Sequence, residues 1–104
     1  MAEAPEQLIA YYEAGRPLVC EIDAQPWLCE FWPVDELVKN NQECEVEKYA
    51  PGYFGFATSG GGEMYAVSPS GAVVCLAFIG MSPNEELHVA SSWANFERML
   101  KSAL

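Results

Sequence analysis

Residues 49–67 read YAPGYFGFATSGGGEMYAV, a stretch in which aromatic residues are interspersed with glycines. Aromatic residues are enriched in strands, whereas clustered glycines mark turns. The stretch therefore predicts two short strands separated by a loop at Gly60–Gly62. Within that loop we expect Gly61 and Gly62 to hold positive φ angles, because glycine adopts them without a steric penalty.

The glycine triplet also allows a second interpretation, as a phosphate-binding loop whose backbone N–H groups surround an anion. Loops of that kind continue into a lysine and a helix, and neither follows Gly62 in this sequence. The next residue is Glu63, whose carboxylate would repel a phosphate. We therefore favour a structural turn.

The residues after this stretch predict a further strand. A turn at 68–71 leads into the apolar octet AVVCLAFI at 72–79. The octet is too short for a helix and shows no alternation, which is typical of a strand buried on both faces. We expect this strand in the middle of the sheet.

A closing helix is predicted near the end of the chain, because Ser91 or Ser92 can cap its first turn. Glu97 and Lys101 have the spacing of a favourable ion pair on one helix. The apolar residues that recur at helical spacing are Trp93, Phe96 and Leu100.

The N-terminal part predicts a helix, a hairpin and a second helix. The helix covers 5–14 and ends at a glycine, and the hairpin joins strands at 18–23 and 27–32. The second helix covers 33–39 and ends at Asn40–Asn41. Helices at both ends with consecutive strands between them indicate an α+β fold, a largely antiparallel sheet in a single domain over residues 1–104.

The chain is strongly acidic, with a net charge of −10 over 104 residues. Residues 1–49 carry a net charge of −8 and residues 50–104 only −2. Nucleic-acid binding depends largely on lysine and arginine, so this charge argues against a DNA or RNA partner. The longest apolar run is far too short to span a membrane, and the acidic start does not resemble a signal peptide. We expect a cytoplasmic protein.

Glu43, Glu45 and Glu47 alternate with Cys44 and Val46, so in a strand all three carboxylates would lie on one face. A solvated face that keeps the protein soluble is one explanation, and a surface for a basic protein is the other. Five carboxylates form the predicted partner surface: Asp35, Glu36, Glu43, Glu45 and Glu47. An apolar interface formed by Trp27, Trp32 or Tyr53 is the alternative.

The four cysteines form no C-x-x-C pair, and the chain has one histidine. These spacings fit no metal-ligand set, so we expect no metal and no cofactor. The cysteines lie among apolar neighbours, which is typical of buried structural thiols. A nucleophilic pair of Cys75 and His88 is formally conceivable, although no local pattern supports it.

The central stretch resembles the signature of the SUKH superfamily, the Smi/Knr-type domains. In that signature a proline-glycine turn (Pro51-Gly52) leads into a strand, a glycine-rich turn (Gly60-Gly61-Gly62-Glu63) and a second strand with an aromatic residue. The segments at 5–15, 31–41 and 90–100 are similar to the family's Leu-Pro helix, its strand and short helix, and its closing helix. The family usually has another helix before the position of Pro5, and Gly15-Arg16-Pro17 stands where a double glycine is expected. The resemblance is therefore to a short or divergent member.

The resemblance implies an α+β domain without enzymatic activity or shared catalytic residues. Bacterial members are largely immunity proteins that neutralise cognate toxins of polymorphic or contact-dependent systems, and eukaryotic relatives look like regulatory interaction modules. We therefore expect a toxin-binding immunity protein whose partner is a basic domain such as a nuclease. The alternative is a regulatory scaffold domain without a toxin partner.

Overall fold

The computed structural model describes residues 2–103, in which one seven-stranded antiparallel sheet is accompanied by four α-helices. A 3-10 turn at Val34–Glu36 precedes the second helix, and another at Pro83–Glu85 precedes the sixth strand. The elements in chain order are α1 Glu6–Glu13, β1 Val19–Ile22, β2 Leu28–Phe31, α2 Leu37–Glu43, α3 Val46–Tyr49, β3 Phe54–Thr58, β4 Glu63–Val67, β5 Val73–Ala77, β6 Leu87–Ala90, α4 Trp93–Met99 and β7 Leu100–Ser102.

The strands lie in the order β6-β5-β4-β3-β2-β1-β7. The predicted α+β architecture, the hairpin of β1 and β2, and the strands on either side of the glycine loop are therefore confirmed. β5 is an interior strand, but the middle of the sheet is β3. The expectation of a middle position was wrong because only β6 lies beyond β5, whereas β3, β2, β1 and β7 all lie on the other side of β4.

Two cores lie on opposite faces of the sheet, as the alternation of Met64 and Tyr65 along β4 shows. The first core is aromatic and is covered by α1 and α4. The Tyr11 ring stacks on Phe31 with a centroid distance of 4.6 Å, and Phe56 contacts Trp93 at 5.3 Å. The second core, covered by α3, consists of Val46, Ala50, Tyr53, Met64, Ala66, Val74, Leu76 and Met81.

The helix α2 continues through Asn40 and Asn41 to Glu43, so the predicted end at the two asparagines was wrong. The reason is a tertiary contact. The buried Asn41 amide donates to the Gly55 carbonyl at 2.8 Å and accepts from the Gly55 N–H at 2.8 Å. β2 pairs with β3 only at its last two residues, so this side chain takes the place of a neighbouring strand beside Gly55.

Ser92 caps the closing helix α4, and its hydroxyl accepts from the Asn95 N–H at 3.1 Å. The helix ends at Met99, so Leu100 opens β7 instead of extending the helical stripe. The predicted pair of Glu97 with Lys101 was also wrong. Glu97 pairs with Arg16 at 3.1 Å, because Lys101 lies on β7 opposite Glu21.

Candidate functional site

The five carboxylates of the predicted partner surface are exposed and lie on one helical segment. Asp35 and Glu36 belong to the 3-10 turn before α2, Glu43 ends α2, and Glu47 lies in α3. Glu45 separates the two helices in a left-handed conformation with φ of 54°. We call these five residues the acidic helical surface.

The prediction that Glu43, Glu45 and Glu47 share one strand face was wrong. A period of two over five residues is too short to exclude a helix. The buried Val46 side chain anchors α3 to the second core, which holds this segment in helical turns.

Two lysines partly offset the charge of this segment. Lys39 Nζ lies 3.9 Å from Glu43 Oε1, and Lys48 Nζ lies 3.6 Å from Glu45 Oε2. Both pairs are exposed, and exposed ion pairs contribute about 0–1 kcal/mol to stability. Both lysines are therefore held weakly, and the cations of a partner could replace them. Residues 33–50 retain a net charge of −3. Two half-exposed valines, Val34 and Val38, each 51% exposed, stand among the carboxylates.

The glycine loop satisfies its own backbone donors. The Ser59 hydroxyl accepts from the N–H groups of Gly61 at 3.0 Å and Glu63 at 3.3 Å. It donates to the Glu63 carboxylate at 2.8 Å. These N–H groups are therefore engaged within the turn, as the structural interpretation of the loop requires. Gly60 and Gly62 hold positive φ angles of 79° and 98°, whereas Gly61 does not, so the prediction for Gly61 was wrong.

The other residues of the glycine signature are also structural. Gly52 has a φ of 85°, and a Cβ at this position would lie 3.0 Å from Pro69 Cγ. The turn that begins at Pro51 therefore packs closely against the loop between β4 and β5. This contact requires glycine both for its backbone conformation and for space.

Cys75 and His88 do not form a nucleophilic pair. In the sheet, His88 stands opposite Val74, and Cys75 stands opposite Leu87, so the two side chains point to opposite faces. Burial raises the pKa of Cys75 to about 12, which keeps the thiol protonated. Burial also raises the pKa of the three other cysteines: Cys20, Cys29 and Cys44.

The exposed apolar residues differ from those expected. Of the three aromatic residues in the predicted alternative interface, only Trp27 is exposed, at 57%. Tyr53 is buried and its hydroxyl donates to Glu86, and Trp32 is half-buried. Ile79 is 94% exposed, because β5 ends at Ala77 and the last two residues of the apolar octet leave the sheet.

Two grooves flank the helices. The first, of about 540 Å³, lies between α1 and α4. It contains the pair of Arg16 and Glu97, and the Trp93 indole donates to Glu97 at 3.0 Å, so its charged groups largely satisfy one another. The second groove, of about 560 Å³, lies beside α3, and its lining side chains are apolar or aromatic.

The model of the SMI1 / KNR4 family (SUKH-1) matches residues 3–102. The chain belongs to the SUKH-1 family. Comparison with curated proteins and with solved structures gives no significant match. The family assignment confirms the resemblance that the glycine signature indicated, and the helices and the curled antiparallel sheet agree with the SUKH fold.

SUKH-1 domains generally bind protein partners and are generally non-catalytic. Residues 2–103 of this member contain no group of three side chains suited to hold a metal ion. Within the same range, no helix has the length and apolar character needed to cross a bilayer.

Proposed function

We propose that this SUKH-1 chain is a non-catalytic immunity protein that acts in the cytoplasm by binding and neutralising a cognate toxin. Membership of a family that is immunity-protein-like supports the proposal. The observation that carries it is the acidic helical surface, where five exposed carboxylates are opposed by two lysines. Such a surface suits recognition of a basic protein.

A toxin domain with a basic active-site groove, such as a nuclease, is the partner that this charge favours. A nuclease attracts the phosphates of its substrate with cationic side chains, and the same side chains attract carboxylates. The acidic helical surface would then occlude the groove. Val34 and Val38 would supply apolar contact among the charges.

The test is surface plasmon resonance with the protein encoded immediately upstream of this chain. Neutralising the acidic helical surface (Asp35→Asn, with Glu→Gln at 36, 43, 45 and 47) is expected to slow association by about tenfold at low salt. Dissociation should change less, because long-range attraction acts mainly on the encounter. Raising the salt concentration should slow wild-type association as the Debye length falls to about 3 Å at 1 M.

A matched control removes the same charge elsewhere. Replacing five other exposed glutamates by glutamine gives an identical net charge, and these residues are Glu3, Glu6, Glu13, Glu21 and Glu30. This control should slow association much less. Equal effects of the two variants would contradict a localised surface. Binding without inhibition of the partner's toxic activity would favour a regulatory scaffold instead.

A further inference from the structure

The apolar groove beside α3 is open to solvent and contains the most exposed large hydrophobic residue that the structure describes. Ile79 is 94% exposed and Tyr49 is 46% exposed. We call it the Ile79 groove, and its lining consists of Tyr49, Phe78, Ile79, Gly80 and Met81.

The floor of the Ile79 groove is held by the fold. Met81 is buried and belongs to the second core, and Phe78 packs against that core. The Phe78 N–H donates to the Gly62 carbonyl at 3.0 Å, which fixes the start of the loop to the β3–β4 turn. The floor of the groove is therefore preformed, whereas the exposed Ile79 side chain would become ordered only against a partner.

Contacts connect the Ile79 groove to the acidic helical surface. Tyr49 is the last residue of α3, and the Lys48 ammonium lies 5.1 Å from the centre of its ring. Lys48 in turn pairs with Glu45 at 3.6 Å. Further along the chain, the loop that carries Ile79 continues to Glu85 and Glu86, and the Glu86 carboxylate accepts from the hydroxyl of Tyr53, a residue of the second core. The Ile79 groove thus adjoins the acidic helical surface through Tyr49.

We propose that the Ile79 groove is the apolar anchor site of the acidic docking surface. It takes an aliphatic side chain that is flanked by lysine or arginine in a basic protein partner. This arrangement matches the general plan of protein interfaces, in which an apolar centre is surrounded by a polar rim. The proposal rests on the proposed function, since it assumes that the partner is basic.

Charge complementarity selects this occupant over a second copy of the chain. Each copy carries a net charge of −10 and the same acidic helical surface joined to its groove through Tyr49, so two copies would repel one another. A basic segment, in contrast, brings cations that replace Lys48 at Glu45, while its apolar side chain displaces water from Ile79.

The test uses nuclear magnetic resonance of the isotope-labelled chain with capped hexapeptides of defined sequence. The peptide KRLLRK should shift the amide signals of Ile79, Gly80 and Met81. The equally charged peptide KRGGRK should bind at least about fivefold more weakly, because it lacks the leucines. Ile79→Ala should weaken KRLLRK binding by about fivefold. Trp27→Ala, which removes another exposed hydrophobic residue, should leave it unchanged.

Three results would overturn the proposal. The first is equal affinity for KRLLRK and KRGGRK, which would show that the acidic surface binds basic peptides without an apolar anchor site. The second is the absence of shifts at Ile79, or shifts confined to the region of Trp27. The third is a concentration-dependent dimer in analytical ultracentrifugation that Ile79→Ala abolishes, which would identify a second copy as the occupant. The proposed function is tested separately, by the binding of the charge variants to the protein encoded upstream.

Discussion

The two faces of the sheet are covered to different extents. On the first face, α1 and α4 enclose aromatic rings, and Phe56 contacts Phe31, Trp93 and Phe96 at centroid distances of 5.3–5.7 Å. On the second face, the four-residue helix α3 covers aliphatic and methionine side chains and leaves the Ile79 groove open. The difference indicates that the first face supplies most of the stability, while the second leaves an open groove, which we propose as a docking site.

The largest expected loss of stability comes from removing a buried ring from the core on the first face. Phe56→Ala should lower the free energy of unfolding by about 4 kcal/mol, because it removes a fully buried ring and leaves a cavity. Met81→Ala, on the second face, should cost only about 2 kcal/mol because the groove already opens beside it. Chemical denaturation of both variants measures the two losses of stability and shows which is larger. Equal losses would show that the two faces are equally important for stability.

The second prediction concerns pH and again the first face. Burial raises the pKa of Cys75 from 9.0 to about 12 in the folded chain, so the thiol binds its proton more tightly when folded. This contribution to stability is complete below pH 9 and is lost as the pH rises towards 12. We expect the denaturation midpoint to fall between pH 8 and pH 10.5.

Cys75→Ala provides the control for this prediction. The variant is less stable at pH 8, but its midpoint should fall less steeply with pH than that of the wild type. The other buried thiols on the same face, Cys20 and Cys29, and the buried tyrosines Tyr11 and Tyr65 also have raised pKa values and contribute the remaining slope. Parallel slopes for the two proteins would contradict the role of Cys75.

The smallest effect is expected at the β3–β4 turn, which joins strands that contribute to both faces. Gly62→Ala should cost about 1 kcal/mol, because φ at this position is 98°. Gly61→Ala should cost almost nothing, since Gly61 does not hold a positive φ and a Cβ there makes ordinary contacts. The denaturation midpoints of the two variants measure the difference. A larger loss of stability for Gly61→Ala than for Gly62→Ala would contradict the backbone conformation of this turn.

Much of the fold was predictable because its signals are local. The helix α1, the hairpin of β1 and β2, and the strands around the glycine loop all follow from turn residues and side-chain patterns within a few positions. The continuation of α2 was not predictable in this way, since it depends on the contact of Asn41 with Gly55. The edge strands β6 and β7 depend on distant pairing partners and were missed for the same reason.

The candidate site was predictable in composition but not in shape. Charge counting identified the carboxylates of the acidic helical surface, whereas the assumption of a strand placed three of them wrongly. Ile79 was assigned to a buried strand because it ends an unbroken apolar run. The exposure of Ile79 follows from where β5 stops, and Gly80 immediately after it was the only local signal of that end.

The Asn41 side chain has a further consequence. Unpaired strand edges attract other chains, and a gap between two neighbouring strands would create such an edge inside the sheet. β2 leaves β3 after Phe31, next to Gly55, where this gap would otherwise open. By bonding both backbone groups of Gly55, the Asn41 amide blocks the attachment of a foreign strand there. A single side chain thus satisfies the backbone of the most central strand at the point where β2 departs from it.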